Sequence, residues 1–255
     1  MNNSDIIDFV GQYSPGVTDR SVAYSVLFGD YDTPPKISTE EEFDFFMFTD
    51  QPERVPKPWR AIYVNPSIFG QQRTNRYFKC LAHILFPKTQ SCIYLDASFS
   101  LLKPLTLFLQ AYDKSRFALF RHPDRDDVTE EAEVCKRQGK DDSEVLDAQI
   151  ERYRAVGLPS PSSCYNGGVL IRDLTDPTVI SINEAWCDEI TAGSVRDQIS
   201  LPFVLWRFGL EPDLIEGNIN YNQYLVPRAH KAVPFTAKLK RSVALGLYRL
   251  GLLYR

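Results

Sequence analysis

The sequence is poor in the residues that form metal clusters and disulfide frameworks. Its 255 residues include three histidines and five cysteines, and no two cysteines form a Cys-x-x-Cys pair. Zinc sites and disulfide frameworks are therefore not indicated, and we expect free, buried thiols in a reducing compartment. The five cysteines are Cys80, Cys92, Cys135, Cys164 and Cys187.

Several motifs of common enzyme classes are also missing. Neither common type of glycine-rich phosphate loop occurs, and hydrolase nucleophile elbows are absent. A nicotinamide-dependent, ATP-dependent or serine hydrolase function therefore has no motif support. The net charge of -4 argues against a nucleic-acid partner.

Long apolar runs are lacking as well. No run approaches the roughly 18–20 residues that a membrane span needs. The first ten residues carry Asp5 and Asp8 and no basic residue, which does not fit a secretory signal. We therefore expect a cytoplasmic protein.

Positive charge is concentrated after Glu216, where seven Lys or Arg residues follow without an acidic one. Leu239, Val243, Leu247 and Leu250 recur beside these charges at helical spacing. Residues 231–255 are thus predicted to form a basic amphipathic tail. Such a tail either docks on the body of the protein or lies on an anionic membrane, here its inner face.

Hydrophobic patterning predicts one α/β domain over residues 1–230. The predicted strands are 21–29, 43–48, 60–64, 92–95, 116–120 and 165–172. The predicted helices are 74–86, 105–112, 129–156 with a break at Gly139, 177–192 and 198–208. This alternation favours a mainly parallel central sheet flanked by helices. Ligands bind at the carboxyl ends of such strands, so the residues to inspect are Gly29, Asp30, Asp50, Asp96, Ser98 and His122.

The strongest chemical signal lies around Asp96, which directly follows a buried strand. Its carboxylate and the Ser98 hydroxyl are oxygen ligands of the kind that hard divalent cations prefer. On the predicted helix 74–86, Arg76 and Lys79 lie one turn apart, and His83 continues the same face. That face is suited to charge-assisted hydrogen bonds with a diphosphate; a solvated helix surface is the alternative.

Three later segments carry further candidates, each with a purely structural alternative. Asn166 offers both a donor and an acceptor to a hydroxyl-rich ligand, and the two glycines after it allow a close backbone approach, unless they form a plain turn. Asp197 either caps a helix or faces an acceptor hydroxyl. His122 either binds a ligand or makes structural hydrogen bonds.

These segments, in this order, resemble the nucleotide-sugar-dependent glycosyltransferases of the GT-A type. The two opening strands, VAYSVLFGDYD and FDFFMFTDQ, resemble the nucleotide-binding strands of that fold. IYLDAS resembles its Asp-x-Asp segment with Ser98 in place of the second Asp, and YNGGVLIRD resembles its Asn-x-Gly-Val segment. The His-x-x-Phe-Pro, His-Pro-x-Arg and Arg-Asp-Gln-x-Ser segments resemble a glycosyltransferase family of plant cell-wall and mucilage proteins and bacterial homologues.

This resemblance covers roughly residues 20–230 and implies a GT-A-like fold. It implies hexosyl transfer from a nucleotide-diphosphate donor, preferably a UDP-sugar, to a hydroxyl of a glycan or lipid-linked acceptor. It also implies Mn²⁺ or Mg²⁺ held by Asp96, Ser98 and a late His230. The loss of one carboxylate at Ser98 makes the metal weakly held or dispensable, and arginines and lysines would then neutralise the diphosphate.

The resemblance implies a role for each site residue. Asp96 and Asp197 are the catalytic candidates, with Asp197 as the base if the reaction inverts the anomer and as an orienting group if it retains it. The nucleotide-sugar-binding candidates are Phe28, Gly29, Asp30, Asp50, Arg73, Arg76, Lys79, Ser98, His122 and Arg125. The acceptor-binding candidates are Asn166, Gly167, Gly168 and Gln198.

Two other functions compete with glycosyl transfer. A non-catalytic carbohydrate- or nucleotide-binding protein on a degenerate GT-A fold is consistent with the serine at position 98. A metal-dependent hydrolase would need a denser His/Asp cluster than three scattered histidines provide. The donor sugar, the acceptor and the stereochemistry stay open.

Overall fold

The computed structural model describes residues 3–30, 32–35, 37 and 40–228. His230 and the basic tail 231–255 lie outside these residues, so the predictions made for them stay predictions. The helices are α1 (Asn3–Gly11), α2 (Gln71–Cys80), α3 (Ala82–Leu85), α4 (Leu105–Gln110), α5 (Val128–Arg137), α6 (Ser143–Ala155), α7 (Pro177–Ala192) and α8 (Asp197–Arg207).

A central seven-stranded sheet organises the protein. The strands are β1 (Ser21–Leu27), β2 (Phe43–Thr49), β3 (Arg60–Tyr63), β4 (Cys92–Leu95), β5 (Phe99–Leu101), β6 (Phe117–Arg121), β7 (Tyr165–Arg172), β8 (Asp213–Leu214) and β9 (Leu225–Pro227). The sheet order is β3-β2-β1-β4-β7-β6-β8, and β5 pairs separately with β9. All pairs in the large sheet are parallel except those that β7 makes with β4 and β6.

The core lies on both faces of this sheet, as expected for a parallel sheet covered on both sides. Along β1, Val22 and Tyr24 pack into one apolar cluster with helices α1 to α3 and α5 to α8. Ala23 and Leu27 pack into the other with α4. The structure confirms the predicted α/β class, with a mainly parallel central sheet flanked by helices.

The predicted helix 74–86 is wrong in one respect, because it is two helices. The chain leaves helical geometry at Leu81 (φ -86°, ψ 38°), which separates α2 from α3. The buried Arg172 side chain donates to the carbonyls of Lys79 (2.9 Å) and Cys80 (3.2 Å) at this break. It satisfies carbonyls that a continuous helix would have bonded internally.

The reversed direction of β7 shapes the candidate site. Because β7 runs against β4 and β6, its first residues lie at the edge where those two strands end. Asn166, Gly167 and Gly168 therefore belong to the strand instead of forming a turn before it. The amide of Asp96 donates to the carbonyl of Gly168 at 2.8 Å, which fixes this meeting point.

The cysteines agree with the expectation of free, buried thiols. All five cysteines are free and buried. Among the described helices, none is long and apolar enough to cross a membrane.

Candidate active site

A cleft of about 590 Å³ opens at the carboxyl edge of the central strands. Its walls come from the end of β1, the first turns of α2, the segment after β4, the loop between α5 and α6, and the loop before α8. The lining residues are Val26, Leu27, Phe28, Asp32, Gln71, Gln72, Asn75, Arg76, Asp96, Ala97, Ser98, Gly139, Lys140, Val195 and Arg196.

Asp96 lies in this cleft, just past the end of β4, together with Ser98. The Tyr94 hydroxyl donates to Asp96 Oδ1 at 2.5 Å and orients the carboxylate. Burial, reinforced by the charge of Asp96, raises the pKa of Tyr94, so its hydroxyl keeps the proton that it donates. The structure thus presents one oriented carboxylate to the cleft.

Arg76 lies in the same cleft, and its positive charge faces two carboxylates. Its side chain is 21% exposed, and its Nε lies 3.8 Å from Asp197 Oδ1. Nε donates to the Val195 carbonyl at 3.0 Å, and the guanidinium also donates to Asn75 Oδ1 at 2.8 Å. Burial works against its charge, but Asp197 and Asp96 outweigh it and raise the pKa of Arg76. Arg76 is therefore a fixed cation at the cleft wall.

Lys79 and Asp197 form a buried ion pair next to the cleft. The ammonium donates to Asp197 Oδ2, with side-chain exposures of 1% and 8%. The same ammonium lies 4.9 Å from the centre of the Tyr94 ring, a cation–π contact. A Cβ atom at Gly167 would lie 2.7 Å from Asp197 Oδ2 and 2.9 Å from Lys79 Nζ. A glycine is required there because any side chain would displace the pair.

The electrostatics of Asp197 do not favour the role of base that the sequence suggested. Burial opposes its ionisation, but the charges of Arg76, Lys79 and Arg196 overcome this and hold its pKa well below the usual range. A general base is most effective when its pKa lies near the pH of the reaction. Asp197 is thus better suited to orienting its cationic neighbours; the expectation that it orients the substrate in a retaining reaction stays a prediction.

Three cationic or basic candidates on the predicted phosphate face are engaged elsewhere. Arg73 donates to the carbonyls of Ile190 and Gly193 and so closes the C-terminal end of α7. His83 lies beyond the break between α2 and α3, with its Nε2 3.5 Å from Glu184 Oε1. Lys79 is held by Asp197. Of the predicted row of cations, only Arg76 lines the cleft.

His122 and Arg125 belong to a second buried network. Arg125 donates to the fully buried Glu131, and its guanidinium lies 3.0 Å from His122 Nε2. Burial and the Arg125 charge together lower the pKa of His122. Neither residue lines the cleft. The sequence predicts that both bind the donor; the structure places them in a network outside the cleft lining.

The predicted nucleoside contacts divide between the cleft and the loops behind it. Phe28 lines the cleft. Gly29 has φ +65°, a conformation that favours glycine, and its amide donates to Asp50 Oδ1 at 2.9 Å. Asp30 is paired with Arg54 at the surface. Asp50 therefore shapes the loop after β1, and neither aspartate lines the cleft.

The predicted acceptor residues surround Asp96 and Asp197. Asn166 Oδ1 accepts from the amide of Gly168 at 2.8 Å. A Cβ atom at Gly168 would lie 3.2 Å from Asp96 Oδ2, so this glycine allows the close approach of β7. Gln198 Oε1 accepts from the Arg196 guanidinium at 3.2 Å.

The residues described by the structure do not form a metal site by themselves. In that part of the chain, no group of three or more His, Cys, Asp or Glu residues is arranged to hold a metal ion. At the predicted position, Asp96 offers a carboxylate and Ser98 a hydroxyl, and Asp96 Oδ1 already accepts from Tyr94. Within the described residues, one carboxylate and one hydroxyl are fewer protein ligands than a resident divalent cation normally has, and we derive no step through one.

The cleft contains two cations that sequence reasoning did not assign. Arg196 precedes Asp197 in the Arg-Asp-Gln segment, so its motif was visible but its role was not. Lys140 lies in a charged stretch between two helices, where nothing distinguishes it from other surface lysines. Both line the cleft.

Comparison with known proteins places the chain in a family. Residues 17–226 match the profile described as "TOD1/MUCI70, glycosyltransferase-like domain". "Probable hexosyltransferase MUCI70" of Arabidopsis thaliana is 29% identical over 216 residues, and the match covers 74% of this chain and 37% of that relative. The chain thus spans little more than a third of the relative's length.

Among solved structures, apo mouse xyloside xylosyltransferase 1 matches with a TM-score of 0.45 and 8% identity, over 77% of this chain and 85% of that one. A likeness that weak does not bear on function. The family profile covers far more than half of the chain. The chain therefore belongs to the TOD1/MUCI70 family of glycosyltransferase-like domains.

Proposed function

We propose that the cleft binds a nucleotide-diphosphate sugar and that the protein transfers its hexosyl group to a hydroxyl of a glycan or lipid-linked acceptor. The observation that carries this proposal is the meeting of Asp96 and Arg76 in one cleft at the carboxyl edge of the sheet. Membership of a glycosyltransferase-like family and similarity to a probable hexosyltransferase support it. A UDP-sugar is the proposed donor.

The proposed chemistry centres on the leaving group. The bond between the anomeric carbon and the diphosphate oxygen breaks, and its electron pair goes to that oxygen. The sugar passes through a state with oxocarbenium character while the acceptor oxygen bonds to the anomeric carbon and gives its proton to the departing diphosphate. Fixed positive charge near the departing oxygen lowers the barrier, and Arg76 is held in place to supply it.

In this proposal, Asp197 orients groups and Asp96 faces the donor. Asp197 holds Lys79 and stabilises the charge of Arg76. Tyr94 fixes the Asp96 carboxylate for contact with the sugar or ribose hydroxyls. An inverting reaction would need a base other than Asp197, whose pKa is lowered, and the stereochemical outcome stays open.

Mn²⁺ or Mg²⁺ enters the proposal as a variable to be tested. Asp96 and Ser98 are the proposed oxygen ligands, and His230 is the ligand expected from the sequence. If no metal is needed, cationic side chains alone neutralise the diphosphate.

Calorimetric titration with a panel of nucleoside diphosphates and UDP-sugars, with and without Mn²⁺, tests the proposal. We expect UDP to bind the wild type and the Arg76→Gln variant to bind it about 10- to 100-fold more weakly, the usual loss for a charged hydrogen bond. Arg20→Gln is the matched control, because Arg20 is 53% exposed and lies outside the cleft. Failure of the wild type to bind any member of the panel would remove the proposal.

A second candidate is a non-catalytic carbohydrate- or nucleotide-binding protein. Ser98 in place of a second acid favours it, because that substitution removes a carboxylate from the donor site. Donor hydrolysis assays separate the two functions. Release of sugar from a bound donor supports the enzyme, and tight binding without turnover over many hours supports the binding protein.

The basic tail 231–255 has its own proposed partner. Its pattern of charge supports peripheral contact with an anionic membrane. Co-sedimentation with phosphatidylserine vesicles should fall when the tail is deleted, and equal sedimentation of both forms would contradict this part of the proposal.

A further inference from the structure

One wall of the cleft is built from two loops that the sequence keeps far apart. Gly139 and Lys140 come from the loop between α5 and α6, and Val195 and Arg196 come from the loop before α8. Asp141 joins these loops, since its Oδ2 accepts from Ser194 Oγ at 2.5 Å and from the Val195 amide at 2.9 Å. The wall is therefore a fixed part of the fold.

Arg196 presents hydrogen-bond donors that the described protein does not satisfy. Its side chain is 21% exposed, and within the described residues its buried Nε has no hydrogen-bond partner. The guanidinium donates to Gln198 Oε1 at 3.2 Å, and it lies 4.0 Å from Glu131 Oε1. The partly exposed side chain lines the cleft, which offers room for an acceptor.

Lys140 adds a second charge to the same wall. It is exposed, and no carboxylate of the described residues lies within ion-pair distance of its ammonium. Its backbone is fixed by a 3.0 Å hydrogen bond from its amide to the Cys135 carbonyl. With Arg76, the lining then holds three cations against the carboxylates of Asp32 and Asp96.

Three other cations near the site are bound by other groups and do not face an incoming anion. Lys79 is bound by Asp197, and Arg73 by the end of α7. Arg125 is bound by Glu131. An anion entering the cleft therefore meets Arg76, Arg196 and Lys140.

We propose that Arg196 and Lys140 bind the phosphoryl oxygens of the donor's diphosphate, with Arg196 as the main contact. This inference rests on the proposed function and names residues for its diphosphate contact. The arginine fork matches phosphate oxygens in geometry, and the lysine adds a mobile point charge.

Calorimetry with UDP, inorganic pyrophosphate and uridine tests the inference on the full chain at several salt concentrations. The Arg196→Gln variant should bind UDP and pyrophosphate about 10- to 100-fold more weakly. The Lys140→Met variant should bind them about 3- to 10-fold more weakly, because its charge is exposed and screened. Both variants should bind uridine as the wild type does, and their binding should depend less steeply on salt.

Arg137→Gln is the matched control, because it removes the same charge three residues before Lys140 at an exposed position outside the cleft. It should bind UDP as the wild type does. Circular dichroism of every variant checks that the fold is kept, and Arg196→Lys gives a second variant that preserves the charge but loses the fork. It should bind UDP with an affinity between those of the wild type and Arg196→Gln.

The outcomes separate this inference from the proposed function. Wild-type affinity for UDP in both the Arg196 and Lys140 variants would overturn the inference and leave nucleotide binding intact. Binding of pyrophosphate through these residues, without binding of any nucleoside diphosphate, would support the anion site and overturn the proposed donor. No binding of either probe by the wild type would overturn both.

Discussion

Replacing Lys79 by methionine should expose how much the fold depends on the buried pair with Asp197. The methionine keeps much of the apolar stem and removes the ammonium. Asp197 would then keep only Arg76, 3.8 Å away, as a close cation of the α2 helix. The complementary variant, Asp197→Asn, would leave a fully buried ammonium without its counter-charge, with the Tyr94 ring at 4.9 Å.

The magnitude follows from the burial of both partners. Removing one member of a buried pair costs about 3–5 kcal/mol of unfolding free energy, since the other charge stays in a medium that solvates it poorly. We expect Lys79→Met at the low end of this range, because Arg76 remains near Asp197. Asp197→Asn should lie near the upper end, because a ring face compensates an ammonium only partly.

Urea denaturation of both single variants and the double variant measures the coupling. The double variant removes both charges of this pair, so it should lose at least about 2 kcal/mol less than the sum of the single losses. The exposed pair of Arg121 and Asp126, with side-chain exposures of 57% and 75%, is the control, and its coupling should be below about 1 kcal/mol. Additive losses at Lys79 and Asp197 would refute the reasoning.

Three further predictions concern the surroundings of the site. Arg172→Met should lower the free energy of unfolding by about 3–5 kcal/mol in urea denaturation. It removes the donor to the buried carbonyls that end α2 and to the Tyr24 hydroxyl. A loss below about 1 kcal/mol would contradict this. Burial, and to a smaller extent the Arg172 charge, lowers the pKa of His83 to about 4. As the pH falls, the unfolded chain therefore binds this proton before the folded protein does. The free energy of unfolding should fall by about 3 kcal/mol as the pH drops from 6.5 to 4. His83→Gln should remove that part of the pH dependence of stability. An unchanged pH dependence would contradict its assignment to His83. Gly167→Ala should weaken UDP-sugar turnover at least about tenfold by displacing the Lys79 pair, whereas wild-type turnover in this variant would show that the pair is not needed in place.

The fold could be predicted well where hydrophobic runs carry the information. The strands β1, β2 and β4 are continuous apolar segments, and their buried faces follow directly from that pattern. The short strands β5, β8 and β9 were missed, because segments of two or three residues hold no period to recognise. The direction of β7 was also beyond reach, since periodicity is the same for a parallel and an antiparallel strand.

The site could be predicted only in part, because the sequence does not show which distant residues each side chain contacts. Asp96 and Arg76 were brought together correctly, since strand ends and the adjacent helix meet at one edge. Spacing on a helix also placed Lys79 and Arg73 on this face. Their partners, however, lie 118 residues away for Lys79 and 117 to 120 residues away for Arg73.

The position of the cations depends finally on the break between α2 and α3. The guanidinium of Arg172 binds the last carbonyls of α2 and the Tyr24 hydroxyl, so β7, β1 and α2 are joined at one buried point. The same strand β7 brings Gly167 against Lys79 and Asp197 at its other end. One antiparallel strand therefore fixes where α2 ends and leaves room for the buried pair beside the cleft. A parallel strand in its place would exchange these two ends, with Gly167 at the amino edge and Arg172 at the carboxyl edge of the sheet.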